Sequence, residues 1–331
     1  MQEFTLQILK WFNINGRELP WRETHDPYAI WVSEIILQQT RISQGTDYWF
    51  RFMRRFPRVE ELAQASEDEV LRLWQGLGYY SRARNMHAAA RQIMEMGHFP
   101  NTLEELKLLK GVGDYTAAAI ASFAFAIPVA AVDGNVYRVL SRYHGMDIPI
   151  NTTEGKRVFT TLANELLPQK QPAEFNQAMM DFGATQCTPL APKCEICVLA
   201  EICVARRKGL VNRLPAKIKK LKVRERELRY IYIRCNHEIA IHRRGKGDIW
   251  QGLWEPLFLE EGELPQLGVP LSLRKGHVRH VLTHQVLYAD IYLAELEHKP
   301  TLPEDYIWIK ERDLDKYALP RLVEILIEAC L

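Results

Sequence analysis

Apolar positions recur at helical spacing through about the first 205 residues, and the expectation is one helix after another. Proline and glycine punctuate short connections, as in Phe56-Pro57 and Gly97-His98-Phe99-Pro100. Met1 to Phe12 reads as an amphipathic helix without the layout of a signal peptide. The most apolar stretch, Thr116 to Val132, is alanine-rich, too short for a bilayer span and broken by Pro128. It predicts a buried helix and its exit loop. Further on the period shortens. Leu228 to Arg234, Glu238 to His242 and Val286 to Ala294 alternate and carry β-branched and aromatic residues, the pattern of strands. Leu319 to Cys330 closes as a helix. The expected fold class is α followed by α+β: a helical domain over 1–205, a linker over 206–226 and a smaller α+β domain over 227–331.

A chain of 331 residues is long for one core, which agrees with two domains. Its 47% hydrophobic and 25% charged content excludes wholesale disorder. The net charge of +2 hides an asymmetry: residues 206–229 hold 11 basic groups against 2 acidic, whereas residues 1–205 hold 20 against 23. The basic run is Arg206, Arg207, Lys208, Arg213, Lys217, Lys219, Lys220, Lys222, Arg224, Arg226 and Arg229. Such a run is either a solvated linker or a phosphate-facing one, so charge alone leaves function open. With neither a leader nor a span, a soluble cytoplasmic protein without a membrane partner is expected.

Four of the six cysteines cluster as C-x6-C-x2-C-x5-C: Cys187, Cys194, Cys197 and Cys203. Outside a secreted context this spacing reads as a metal site, not a disulfide framework. Four thiolates suit tetrahedral zinc or a cubane iron–sulfur cluster, and the spacing departs from the paired C-x2-C of zinc fingers. Cys235 and Cys330 stand among apolar neighbours and read as packing residues.

The segment Leu108 to Thr116 (LLKGVGDYT) lies between two helical stretches. Gly111 and Gly113 permit a tight turn, and the next helix starts at once. Such a turn is either a plain helical hairpin or a phosphate site built from backbone N–H groups. Next, Val132-Asp133-Gly134-Asn135 places a carboxylate at the start of another helix, as N-cap, as catalytic group, or as both. A second carboxylate, Glu34, follows the Asp26-Pro27 helix start, with the helix expected to run to about Arg41. Ile30, Trp31 and Leu37 at i−4, i−3 and i+3 put Glu34 on a largely apolar face. There it either reaches solvent past its neighbours or, desolvated, becomes a general acid near neutral pH. Gln38 and Gln39 are amides suited to base edges.

Taken together, Leu19-Pro20-Trp21-Arg22, Asp26 to Thr40, Gly76 to Asn85 (GLGYYSRARN), Leu109 to Thr116, Val132 to Arg142 and Phe175 to Gly183 (FNQAMMDFG) resemble the MutY-type adenine DNA glycosylases, related to endonuclease III. The resemblance covers the chain and includes the cysteine spacing. It implies a helix–hairpin–helix fold of two helical subdomains (about 28–133, and 1–27 with 134–205), a 4Fe–4S cluster on the four cysteines, and a Nudix-like reader of 8-oxoguanine at the C-terminus. It implies that Glu34 protonates adenine and that Asp133 stabilises or attacks the sugar, with Tyr115 and Asn135 in support. Arg22 and Gln177 match residues of the adenine pocket. Gln39 and Tyr79 match residues inserted into the duplex near the lesion, Thr40 beside Gln39 is expected to contact the DNA, and Gly111 and Gly113 match the phosphate-binding hairpin. The implied partner is double-stranded DNA carrying A:8-oxoguanine or A:G mispairs, bound by a nucleoid-associated monomer.

Two departures from related patterns carry expectations. Tyr115 stands where endonuclease III-type enzymes hold a Schiff-base lysine, so base removal with little or no strand cleavage is expected. The lesion-reading Phe-Ser-His loop of the family appears as Leu282-Thr283-His284, which keeps a hydroxyl and an imidazole. A non-catalytic iron–sulfur DNA-binding protein, a bifunctional pyrimidine-lesion lyase and a nucleotide hydrolase acting through the C-terminal domain, which lacks the clustered glutamates of a Nudix box after Trp254, are the competing readings. Against the first stand both carboxylates; against the second stands Tyr115.

Overall fold

The computed structural model describes residues 2–218, 223–259 and 267–331. Lys219, Lys220 and Lys222 of the basic run lie outside the described residues. The helical part comprises α1 (Gln2–Asn15), α2 (Pro27–Ile36), α3 (Ile42–Arg55), α4 (Val59–Gln64), α5 (Glu67–Trp74), α6 (Ser81–Met96), α7 (Leu103–Leu108), α8 (Asp114–Phe125), α9 (Gly134–His144), α10 (Thr153–Leu166), α11 (Pro172–Asp181) and α12 (Val204–Arg207). Strands β1 (Arg224–Cys235), β2 (Glu238–Arg243), β3 (Trp254–Glu255), β4 (Leu257–Leu259), β5 (Ser272–Val281), β6 (Gln285–Leu296) and β7 (Tyr306–Lys310) follow, and α13 (Arg321–Ile327) comes last.

The chain divides into two compact units, residues 1–63 with 88–219, and residues 64–87 with 220–331. The second unit thus takes in α5 and the start of α6, which the sequence pattern had assigned to the helical domain.

In the first unit, α1, α9, α10 and α11 gather around Phe4, Ile8, Val139, Phe159, Phe175 and Phe182. Helix α8 is alanine-rich because α2, α7 and α11 all pack closely on it. The exit loop expected after it is present: Ala126 is left-handed at φ 54°, and regular structure resumes only at Gly134. One boundary is corrected. Helix α2 ends at Ile36, not near Arg41, because Gln39 is left-handed at φ 58° and residues 37–40 form a turn. Gln38, Gln39 and Thr40 therefore leave the helix axis.

In the second unit the sheet order is β3-β2-β1-β6-β5, with β4 and β7 added on β1 and β2. The central pair β1 and β6 is parallel, and β5 returns antiparallel on β6 through register shifts. Strand β1 starts at Arg224, inside the expected linker. Arg226 is buried there and pairs with Asp248 at 2.7 Å, which fixes those residues in the sheet. Cys235 and Cys330 are buried, as their neighbours implied.

Candidate active site

Two helix starts position the two carboxylates. Asp26 caps α2 by accepting from Tyr28 N at 3.0 Å, with Pro27 in the first helical position. Every residue from Tyr28 to Ile36 is buried, so Glu34 is carried inside with only 7% of its surface exposed. The Tyr115 hydroxyl, on the first turn of α8, donates to Glu34 Oε2 at 2.9 Å and lies 3.7 Å from Met180 Sδ. Burial pushes the Glu34 carboxyl up to about 7; the Tyr115 hydrogen bond opposes this, the Asp133 charge adds to it, and Arg22 opposes it. The acid is therefore poised near neutrality.

Asp133 caps α9. Its Oδ1 accepts from Asn135 N and Val136 N, each at 2.9 Å, and its Oδ2 accepts from Asn135 Nδ2 at 2.6 Å. Burial raises this carboxyl as well, while the Val136 N–H, the Asn135 donors and the Arg138 charge all favour the anion. The capping role expected of Asp133 is present, and its carboxyl stays buried beside these donors.

Both carboxylates open on one cavity of about 1270 Å³. Arg22, Gln39, Thr40, Gly111, Gly113, Tyr115, Asn135 and Gln177 line it too. Gly111 is left-handed at φ 81°, and Gly113 precedes α8 with no side chain capping its first N–H groups. That leaves a helix N-terminus able to meet an anion. The structure places the remaining three expected residues in the second unit. There the Tyr79 hydroxyl and Thr283 Oγ1 are hydrogen-bonded, with Tyr79 exposed and left-handed at φ 47°, and His284 is exposed.

Three side chains that spacing did not single out organise this unit. Asp181, fully buried, accepts from Arg22 Nη1 at 2.9 Å and Nη2 at 2.8 Å, and from Arg17 N and Nε, each at 2.9 Å. Burial would raise its carboxyl, but the two guanidinium groups outweigh that and hold it below the ordinary range. Arg138 donates from Nε to Cys187 O at 2.8 Å and from Nη2 to Asn135 Oδ1 at 2.8 Å and Gly183 O at 2.7 Å. Arg142 donates to Cys187 Sγ at 3.4 Å, Thr188 O at 2.7 Å and Pro189 O at 3.0 Å. The available signal was position: all three lie inside the segments Val132 to Arg142 and Phe175 to Gly183, where a charge interrupts an apolar helical face.

The four clustered cysteines surround a second cavity, walled by Arg142. A single zinc would draw four sulfurs to within about 4 Å of one another. Four sulfurs lining one cavity, with a buried guanidinium and the Leu199 N–H (3.4 Å from Cys197 Sγ) facing them, fit a polynuclear anionic cluster. Elemental analysis of protein purified without air is expected to return about four iron and four sulfide per chain. One zinc and no sulfide would overturn this.

Residues 32–165 match the family described as HhH-GPD superfamily base excision DNA repair protein, residues 187–203 the iron-sulfur binding domain of endonuclease III, and residues 229–329 a NUDIX domain. Among solved structures, a thermostable thymine-DNA glycosylase superimposes with a TM-score of 0.58 at 31% identity, over 62% of this chain and 95% of that one. Fold and site define the class: a helix–hairpin–helix base-excision repair protein with an iron–sulfur loop and a Nudix-like domain. An adenine DNA glycosylase of Buchnera aphidicola (subsp. Acyrthosiphon pisum) is 30% identical over 98% of this chain and 97% of its own length. The mouse adenine DNA glycosylase is 42% identical over 65% of this chain. The chain belongs to the adenine DNA glycosylase family. It spans less than half the length of the mouse, rat and human relatives it matches. Among the described residues no helix is long and apolar enough to cross a membrane.

Proposed function

We propose that this chain hydrolyses the N-glycosidic bond of adenine in duplex DNA, with 8-oxoguanine as the preferred base opposite. The observation that carries the reading is the pair of unlike carboxylates on one cavity. Glu34, at about 7, is protonated in useful amount at neutral pH, while Asp133 is held by donors that favour its anion. Departure of a purine needs a proton on the leaving base and negative charge beside the sugar as positive charge develops there. Tyr115 occupies one Glu34 oxygen and so leaves the other to carry the proton. The target base must first leave the stack, since its glycosidic bond is out of reach inside a duplex. Water completes the hydrolysis. Tyr115 offers no amine for a Schiff base, so the abasic strand is left intact.

Discrimination of the opposite base is assigned to Tyr79, Thr283 and His284. The hydrogen bond between Tyr79 and Thr283 supports this by holding an aromatic ring and a hydroxyl together on an exposed surface. A single-turnover panel tests the whole reading: duplexes with A:8-oxoguanine, A:G, G:T and an oxidised pyrimidine, scored with and without alkali. Adenine loss from the first two, with nicking only after alkali, is expected. Thr283→Ala should lower the preference for A:8-oxoguanine over A:G by about tenfold, the worth of one good base contact of roughly 1–3 kcal/mol. Excision of a pyrimidine in place of adenine, or nicking without alkali, would sink the proposal.

A further inference from the structure

Helix α10 buries one face through Gly155, Phe159, Ala163 and Leu166. Its opposite face does not merely meet bulk water. Lys156, Arg157, Thr160, Thr161 and Asn164 line the same cavity as Glu34 and Asp133. Five cationic side chains line that cavity: Arg17, Arg22, Lys107, Lys156 and Arg157. Arg17 and Arg22 are committed to Asp181, and Lys107 Nζ lies 2.8 Å from Asp114. Among the described residues, Lys156 and Arg157 make no ion pair within 4 Å and no side-chain hydrogen bond, and Lys156 acts on the Asp114 carboxylate only from farther off. Both are exposed.

We propose that this face of α10 is a phosphodiester-binding site, separate from the glycine hairpin, that holds the DNA backbone beside the reacting nucleotide. It rests on the reading that the cavity receives a nucleotide of duplex DNA. Cations in close ion pairs can do little for a further anion, but two without one, beside the Thr161 hydroxyl and the Thr160 hydroxyl that also bonds Tyr137, are the groups that meet phosphate oxygens. The site is also tied to the chemistry. Asn164 Oδ1 accepts from Ala130 N at 2.9 Å, so α10 is fastened to the segment that delivers Asp133 three residues on. A phosphate held on α10 is thereby set in register with that carboxylate. Lys156 also reaches toward the hairpin: Lys107 chiefly, and Lys156 more weakly, hold the Asp114 carboxyl below its ordinary range. The α10 site and the first turn of α8 thus adjoin, as successive phosphates of one strand require.

The test is the salt dependence of duplex binding by the full, iron-loaded chain, read by fluorescence anisotropy. Two duplexes serve as probes, one undamaged and one carrying A:8-oxoguanine. Each phosphate contact contributes about 0.9 to the slope of log affinity against log salt. The double variant Lys156→Gln, Arg157→Gln is expected to lower that slope by about 1.8 on both probes. Its deficit in affinity should accordingly shrink about tenfold between roughly 50 and 200 mM salt. Lys10→Gln, an exposed cation on α1 away from the cavity, should keep the wild-type slope. Iron content and melting temperature identify any variant that has lost its fold; for such a variant the single substitutions, each expected to remove about 0.9, give the reading. A double-variant slope equal to wild type overturns the proposal, as does an equal fall for Lys10→Gln. If the wild-type chain binds duplex with the expected slopes but removes no adenine, the proposed function fails and the α10 site stands. If it binds no duplex, both fail.

Discussion

Glu34→Gln is expected to abolish adenine excision while the duplex is still bound. The amide fills the same buried space and can still accept from Tyr115, but it has no proton to deliver, and general acid help is typically worth about 10²–10⁴-fold. In the wild type, single-turnover excision should fall as pH rises through about 7, where the Glu34 carboxyl ionises. A second readout follows from linkage. The carboxyl is raised from 4.5 to about 7 on folding, so the native state holds the proton more tightly than the unfolded chain does. Its favourable contribution is fully present below about 4.5 and is lost as pH rises through about 7. Above that, the buried anion costs of order 3 kcal/mol. Glutamine carries no such cost. The inactive variant should therefore melt higher than wild type at about pH 8, with most of the difference gone near pH 5. Near wild-type excision by Glu34→Gln would remove it from the mechanism, and equal melting at both pH values would mean that its carboxyl is not desolvated.

That the same substitution is expected to stabilise the chain and disable it explains why Glu34 was legible in the sequence. A carboxylate with Ile30, Trp31 and Leu37 on its helical face contradicts the rule for burial, and function is one resolution of that conflict. Asp133 was legible for a local reason, since an N-cap acts on N–H groups two and three residues ahead. What remained hidden was non-local. Arg17 and Asp181 are 164 residues apart, and no spacing pattern couples them. The turn at residues 37–40 was hidden too. Leu37-Gln38-Gln39-Thr40 contains no helix breaker, so nothing in local propensity announced the left-handed Gln39 that turns the chain between α2 and α3. Arg226 reads as one more linker charge, because its partner Asp248 comes from a distant loop. Residues 64–87 likewise share the helical period of the first unit, and only their contacts assign them to the second.

The same non-local logic makes Arg138 the residue whose loss should reach furthest. Its guanidinium is the shared donor for Cys187 O in the cysteine loop, Gly183 O beyond α11, and Asn135 Oδ1 beside Asp133. Gly183 and Asn135 are packed closely here: a Cβ on Gly183 would stand 2.5 Å from Asn135 Cβ. Arg138→Met keeps much of the apolar stem and removes every donor. Four acceptors, Gly134 O besides these three, then lose this donor, at about 1–3 kcal/mol for each that neither water nor another donor reaches. A destabilisation of order 3 kcal/mol or more is expected, read as a fall in melting temperature. Excision should suffer separately. The Asn135 amide is held by Arg138 at its oxygen and donates to Asp133 from its nitrogen, so an untethered amide no longer fixes the Asp133 carboxylate. Single-turnover rates normalised to iron content should therefore fall about tenfold or more, the scale of one lost hydrogen bond to a charged group. Arg138→Lys, with one flexible ammonium in place of the planar fork, should recover part of the stability and little of the rate. An iron-replete Arg138→Met protein that melts and excises like wild type would show that the cysteine loop and the Asp133 carboxylate are not coupled through this side chain.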